Sequence, residues 1–355
     1  MKENRFLYAA RFIACLAVIT IHTRFPGKFG QVIDALARFA VPYFFAISGR
    51  FLLDTSDNSI AFIRMRTGKA LLKLLKITGI VYIIHLIFSL VVNIFNQMSV
   101  SEWLSSKFNF AELTNFVLYN SGRFIYDGSY TFDHLWYLFA LIYVYGLIYI
   151  FAGVLRKWYK GLIGILLFFL YLGMLLQTYY PIRPFGINIC TWFVMRNWLF
   201  VGIPFVLIGI LFSDHIRELK ATLSPKEFEK WQMSTGYKAF LGLVFGIVLT
   251  IAEIGIYGNK EVHFGSLFIV VSILFLSECR IPSGNYIWKI GKRASSNIYY
   301  YHVLIIAVID IMAQKGIIPS LSMEVKPLLI MAICVILFYF VPVYLEKWLK
   351  MSSSR

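Results

Sequence analysis

Apolar residues run along the chain in ten long blocks, near 6–23, 34–53, 70–96, 132–152, 161–178, 197–213, 237–257, 262–278, 294–312 and 325–346. Crossing a hydrocarbon core of about 30 Å takes about 20 helical residues, so each block predicts one membrane-spanning helix. The longest stretch between blocks, 97–131, contains SEWLSSKFNFAELTNFVLY, whose apolar spacing predicts an amphipathic helix lying on the membrane surface. No internal repeat and no Gly/Ser linker divides the series. The pattern predicts an all-α polytopic membrane protein of about ten transmembrane helices, with residues 1–355 as a single domain.

Composition agrees. With 59% hydrophobic and 15% charged residues, the chain has too little polar surface to coat a soluble globule. The first block is not a removable signal, because it carries Arg11 and His22, lacks a small-residue cleavage site and is followed directly by further spans. Cys15, Cys190, Cys279 and Cys334 are scattered, with neither metal-ligand spacing nor a disulfide framework, and read as packing residues. If the N-terminus lies inside, the inner segments hold 22 of the 34 Lys and Arg residues and the outer segments 9. The expectation is a multi-pass protein of a cell membrane with both termini cytoplasmic. The formal charge of +16 then belongs mainly to the inner face, where its partner is anionic membrane lipid and not nucleic acid.

Two ionisable groups break the first block, RFIACLAVITIH at 11–22. Eleven residues at about 100° each come to three turns plus about 20°, so Arg11 and His22 share one helix face with about 16 Å of rise between them. An arginine within the membrane is costly unless it faces protein or water, so this face is expected to line an interior cavity. Other polar residues gather at the outer depth: Arg38, Asp133 and His134 in TFDHLWYLFAL, Arg196 and Asn197 in MRNWLFVGIPF, Glu253 in IAEIGIYGN, and His263. Each taken singly is an ordinary solvated helix end; these five spans and His22 of the first, six in all, together suggest an outward-facing polar chamber. His302 sits about eight residues into the ninth block, where a core histidine and a functional one look alike.

The R-x10-H spacing of Arg11 and His22, RFAVPYFFAISGRFLL at 38–53, HLWYLFAL at 134–141, RNWLFVGIPFVLIGI at 196–210 and SSNIYYYHVLI at 295–305 together resemble the acyltransferase 3 family of integral membrane acyltransferases. The resemblance covers nearly the whole chain. It implies a domain of roughly ten helices that moves an acyl group, commonly acetyl, from cytoplasmic acyl-CoA to hydroxyls of exported or cell-surface glycans, with Arg11 and His22 essential. It also implies a bacterial inner or cytoplasmic membrane and, as acceptor, a glycan or lipid-linked saccharide. Much of the family has Gly-Val-Asp where this chain has Ala40-Val41-Pro42. That variant is more similar to the branch of enterobacterial common antigen acetyltransferases, the intercellular adhesin polysaccharide modifier and the membrane domain of vancomycin-resistance serine racemases. The last has been linked to serine uptake, so transport of serine or another small metabolite is the alternative function.

Acyl transfer from a thioester to a hydroxyl needs a base and donors for the oxyanion, and a neutral histidine titrates in the useful range. His22 is the candidate base, with a carboxylate from Asp133 or Glu253 as candidate orienter of its ring. Arg11 lies too deep to touch the same atom and is suited to holding phosphate or pantetheine groups of the donor, acetyl-CoA. Arg50, Arg64, Arg66 and Lys69 at the inner mouth could receive the CoA phosphates; the same cluster also reads as plain positive-inside topology. Arg38, His134, Trp136, Asn197 and His302 are candidate acceptor contacts. Tyr126, Tyr130, Trp136 and Tyr137 suit sugar stacking or an interfacial aromatic belt. No zinc-ligand cluster, phosphate loop or nucleophile elbow occurs, so no metal is expected. Ser48, before Gly49, reads as a close-packing residue.

Overall fold

The computed structural model describes residues 4–53, 59–126, 132–179, 195–279, 281 and 286–352. Cys190 and Tyr130 lie outside them. Among the described residues there are helices and no strands: α1 Arg5–His22, α2 Gly27–Ala37, α3 Ala40–Leu52, α4 Ile60–Phe95, α5 Val100–Lys107, α6 Phe110–Tyr119, α7 Trp136–Ile150, α8 Ala152–Tyr179, α9 Ile203–Thr222, α10 Pro225–Tyr257, α11 Phe264–Leu276, α12 Ile287–Gln314, α13 Val325–Val335 and α14 Val341–Ser352. Nine segments among the described residues are long and apolar enough to cross a membrane, and their large side chains stay exposed where lipid would lie, as at Leu72, Phe95 and Ile256. The protein is therefore an all-α, multi-pass membrane protein. The eighth block is shorter than expected: α11 has 13 residues, about 20 Å of helix.

Prolines set the irregularities. The block expected as one helix over 34–53 is two, broken at Arg38 and Phe39. Pro42 has no N–H to offer the carbonyl four residues earlier, that of Arg38, and its ring pushes against it. Within the first turn of α3 the missing donor costs nothing. Pro204 and Pro342 act likewise. Their partners Phe200 and Phe338 lie in wide five-residue π turns, Trp198–Gly202 and Ile336–Phe340, that lead into α9 and α14.

The chain packs as two compact units, one of Met1–Ala40, Lys230–Asn259 and His263–Arg355, the other of Val41–Glu229 and Lys260–Val262. In the first unit α1 runs parallel to α12, which follows from the order of their contacts. Tyr8 meets Gly291, Arg11 meets Ser296 and His22 meets His302. A Cβ on Gly291 would lie 1.9 Å from the Tyr8 carbonyl oxygen, so only glycine permits this approach.

In the second unit α3 lies against α9, and a Cβ on Gly49 would stand 1.9 Å from the Val206 carbonyl oxygen. The neighbouring Ser48 hydroxyl is taken up by the Phe44 carbonyl at 2.8 Å and the Tyr137 hydroxyl at 3.0 Å, a packing role. The excursion after α4 is two short helices and not one. A capping box of Ser99 and Glu102 starts α5, Asn109 caps α6, and Asn120 ends α6 in the left-handed region at φ 56°. The excursion is also anchored more deeply than a surface helix. Trp103 is buried and donates to Ser89 of α4 at 3.3 Å, and Phe116 packs at 4.3 Å on Phe124, which itself stacks on Tyr82 of α4.

Candidate active site

In the first unit the shared face of α1 is directed at one helix. The Arg11 guanidinium donates to Ser296 Oγ at 2.7 Å, the Cys15 thiol to the Ser295 carbonyl at 3.2 Å, and the His22 ring lies 5.3 Å from that of His302, centroid to centroid. Arg11 and His22 are half-buried; His302 is fully buried. The His302 Nδ1 sits 3.0 Å from the Ile298 carbonyl and 2.9 Å from that of Tyr299. Carbonyl oxygens only accept, so Nδ1 carries the proton and Nε2 holds the lone pair of the neutral ring.

A second polar group occupies the same unit. Asp34 Oδ2 receives Arg24 and Arg38, each at 3.4 Å, and the Asn259 amide at 2.6 Å. Asn259 Oδ1 is 3.0 Å from His263 Nε2, and His263 Nδ1 is 3.7 Å from Glu253 Oε2. Glu253 in turn accepts the first backbone amides of α11, Phe264 N–H at 2.9 Å and Gly265 N–H at 3.1 Å, and the Tyr257 hydroxyl. Both of its oxygens thus hold the start of a helix, where a carboxylate is favoured by unsatisfied N–H groups and the helix dipole. Arg38 is buried at the α2 terminus and paired with Asp34.

The remaining candidates lie in the second unit. Arg50 is buried, donates to Ser213 Oγ at 2.7 Å and stands 5.5 Å over the Phe212 ring, while the Ser213 hydroxyl donates back to the Arg50 carbonyl. Arg64, Arg66 and Lys69 are exposed along α4, and Arg64 also donates to the carbonyls of Tyr149 and Ile150. His134 is buried, with its ring 5.1 Å from His85, itself fully buried in α4. Asn197 is a cap, its Oδ1 accepting from Leu199 and Phe200 N–H. Trp136 is buried too, and its ring lies 5.3 Å under the Arg196 guanidinium, which removes it from any aromatic belt.

Arg196 is the hub of that corner. It donates to Glu261 at 2.7 Å and to the Tyr126 hydroxyl at 3.1 Å. Burial works against its charge, yet the Glu261 carboxylate, the Tyr126 hydroxyl and Asp133 together outweigh it and hold the guanidinium above the ordinary arginine range. Burial pushes the Tyr126 phenol up to about 12. Asp133 opens the 3-10 turn Asp133–Leu135 in the same corner and contributes to both shifts. Nearby, α7, α8 and the start of α9 enclose an apolar groove of about 270 Å³ lined by Val144, Leu147, Phe151, Val154 and Trp198.

Comparison with known families decides the class. The profile of the acyltransferase domain, acyltransferase 3, matches residues 4–347, nearly the entire chain. The chain belongs to the acyltransferase 3 family. No match was found among curated proteins or among solved structures. The protein is thus a membrane acyltransferase, and the helix that carries Arg11 and His22 lies inside the matched region.

Several residues of this acyltransferase's polar clusters escaped the sequence reading. Asp34 stands four residues before Arg38, which was already a candidate, at the spacing of a helical ion pair. His85 interrupts VYIIHLIFSL, and an ionisable group within a span is itself a signal. Ser296, inside the quoted SSNIYYYHVLI, sits three and four residues from Tyr299 and Tyr300 on one helix. Glu261 carries no local signal, since Arg196 lies far away in sequence, and the link from Asn259 to Asp34 is equally distant, although His263 stands only four residues on.

Proposed function

We propose that this acyltransferase moves an acyl group, acetyl by the family resemblance, from acyl-CoA to a hydroxyl of an exported or cell-surface glycan, with His22 as the general base. One observation carries the reading. His22 is half-buried at the end of α1 on the face that also bears Arg11, and both meet α12. His22 takes the proton of the acceptor hydroxyl as its oxygen attacks the thioester carbonyl carbon. The tetrahedral adduct collapses with cleavage of the C–S bond, and the His22 imidazolium returns the proton to the departing CoA sulfur. The products are an ester and free CoA, with no net proton.

Arg11, about 16 Å below His22 along the helix, holds phosphate or amide oxygens of the donor, because a guanidinium offers several donors in a fixed fork. The thin pantetheine arm follows this face, leaving the nucleotide on the Lys/Arg-rich side. Arg64, Arg66 and Lys69 provide exposed positive charge that draws the CoA phosphates.

The test uses the purified protein in oriented vesicles with acyl-CoA and a membrane glycan extract. Thioester consumption is expected only with acyl-CoA on the Lys/Arg-rich face, and acylated acceptor is expected on the opposite face. Solute flux without thioester consumption would assign the chain to transport. Equal activity with both substrates confined to the Lys/Arg-rich side would end the two-sided reading.

A further inference from the structure

Building on the proposal that His22 is the base, we infer that His302 is its positioning residue, in the place a carboxylate holds in a Ser-His-Asp triad. The proton of the His302 ring sits on Nδ1. Nδ1 is committed to the carbonyls of Ile298 and Tyr299, one turn back on its own helix, so the neutral ring can only accept at Nε2. A hydrogen bond of about 3 Å between facing nitrogens sets two imidazole centroids roughly 5 Å apart. The observed separation is 5.3 Å, with the planes tilted by 57°, so the rings are in contact and a turn of the half-buried His22 ring closes the hydrogen bond, which the resting arrangement does not make. His302 is fully buried in a helix fixed against α1 by the Gly291 approach, so its ring is a rigid reference for a half-buried neighbour.

The consequence for His22 is a defined tautomer. If one His22 nitrogen donates to His302 Nε2, the other carries the lone pair and is the one left to take the acceptor proton. When His22 becomes imidazolium, the same contact becomes a charge-assisted hydrogen bond and stabilises the charge formed in the transition state. His302 itself gains and loses no proton.

The carboxylate candidates fit this place less well. Glu253 is engaged at the start of α11, and Asp133 belongs to the Arg196 and Tyr126 corner of the second unit. Two variants of His302 separate packing from positioning. The amide of asparagine reproduces the Nδ1 end of histidine and can keep the main-chain contact. Glutamine instead carries its amide to the Nε2 end, where its oxygen can accept from His22.

The experiment measures thioester consumption with acetyl-CoA and membrane glycan extract for wild type, His302→Asn and His302→Gln, alongside acetyl-CoA binding and the elution profile of each purified protein. His302→Asn is expected to lose about 10²- to 10³-fold in kcat, with KM for acetyl-CoA within about threefold. His302→Gln is expected to recover at least about tenfold of that loss. Wild-type kcat in His302→Asn, or a well-folded His302→Gln as inactive as His302→Asn, would overturn the inference. Active wild type with either result leaves the acyltransfer reading standing. Inactive wild type removes that reading and this inference with it.

Discussion

Each unit of the protein holds a pair of histidines in ring contact and an arginine hydrogen-bonded to a serine of a second helix. In the first unit these are His22 with His302 and Arg11 with Ser296; in the second, His85 with His134 and Arg50 with Ser213. Residue types alone do not separate the two sets. Exposure does: Arg11 and His22 are half-buried, whereas Arg50, His85 and His134 are all buried. An ionisable side chain at membrane depth costs about 2.5–3.5 kcal/mol or more, so both sets need partners. Only the first leaves one member of each pair within reach of a reagent. The second uses its polar atoms on the protein itself, as when the Arg50 guanidinium and carbonyl both bond Ser213.

The comparison breaks most easily at the histidines. His22→Ala is expected to lower kcat by about 10²- to 10⁴-fold while acyl-CoA binding persists, since the ring acts on the acceptor hydroxyl. His134→Ala is expected to do the reverse. It empties space beside His85 and lowers stability by about 1–3 kcal/mol, with kcat per folded molecule within about threefold of wild type. Thermal unfolding and thioester consumption on the same preparations read both. A stable but inactive His134→Ala would place the second pair in the chemistry and undo the distinction.

The arginines give a smaller contrast. Arg11→Lys keeps the charge but loses the planar fork, and is expected to weaken turnover of acyl-CoA by about tenfold. Arg50→Lys also loses the fork, but the fork there faces Ser213 and the Phe212 ring, so the expected loss is in thermal stability and not in the KM for acyl-CoA. Should Arg50→Lys raise that KM as much as Arg11→Lys does, Arg50 would be a donor ligand despite its burial.

How much of this arrangement was legible in the chain follows the range of the interactions. The shared face of Arg11 and His22 was readable because eleven residues close three helical turns, which is local geometry. Which helix that face would meet was not readable. Parallel contact with α12 depends on Gly291, Ser296 and His302, nearly 300 residues away, and apolar helices look alike as partners. The break at Arg38 was readable in principle, since Pro42 names the carbonyl it disturbs. A block of unbroken apolar character hid it. Glu253 looked like a solvated helix end or a catalytic carboxylate. Besides Tyr257 one turn on, its partners are amides 11 and 12 residues ahead, reached through a loop that no periodicity specifies.

That reassignment of Glu253 is itself testable. Glu253→Gln keeps one acceptor for the α11 amides but loses the negative charge at the helix start, and is expected to cost about 1–2 kcal/mol of stability. Its kcat per folded molecule is expected to stay within about twofold. Unchanged thermal unfolding together with a large fall in kcat would return Glu253 to the role of orienting His22.

The finest contrast lies in the two serines. Ser296 Oγ accepts from Arg11 at 2.7 Å and so fixes where that guanidinium points, but it leaves the remaining donors of the fork for a ligand. Removing it in Ser296→Ala frees the side chain without removing its charge, so the expected loss in kcat/KM for acyl-CoA is only about threefold. Ser213 holds Arg50 in a reciprocal pair, and Arg50 itself is assigned no donor contact. Ser213→Ala leaves both the Arg50 guanidinium and its carbonyl short of a partner in a buried setting, so stability falls while kcat/KM holds. The two variants are matched in chemistry, each deleting one hydroxyl beside one arginine. If both change kcat/KM equally, exposure is not what separates the two arginines, and Arg11 loses its claim over Arg50 as the donor ligand.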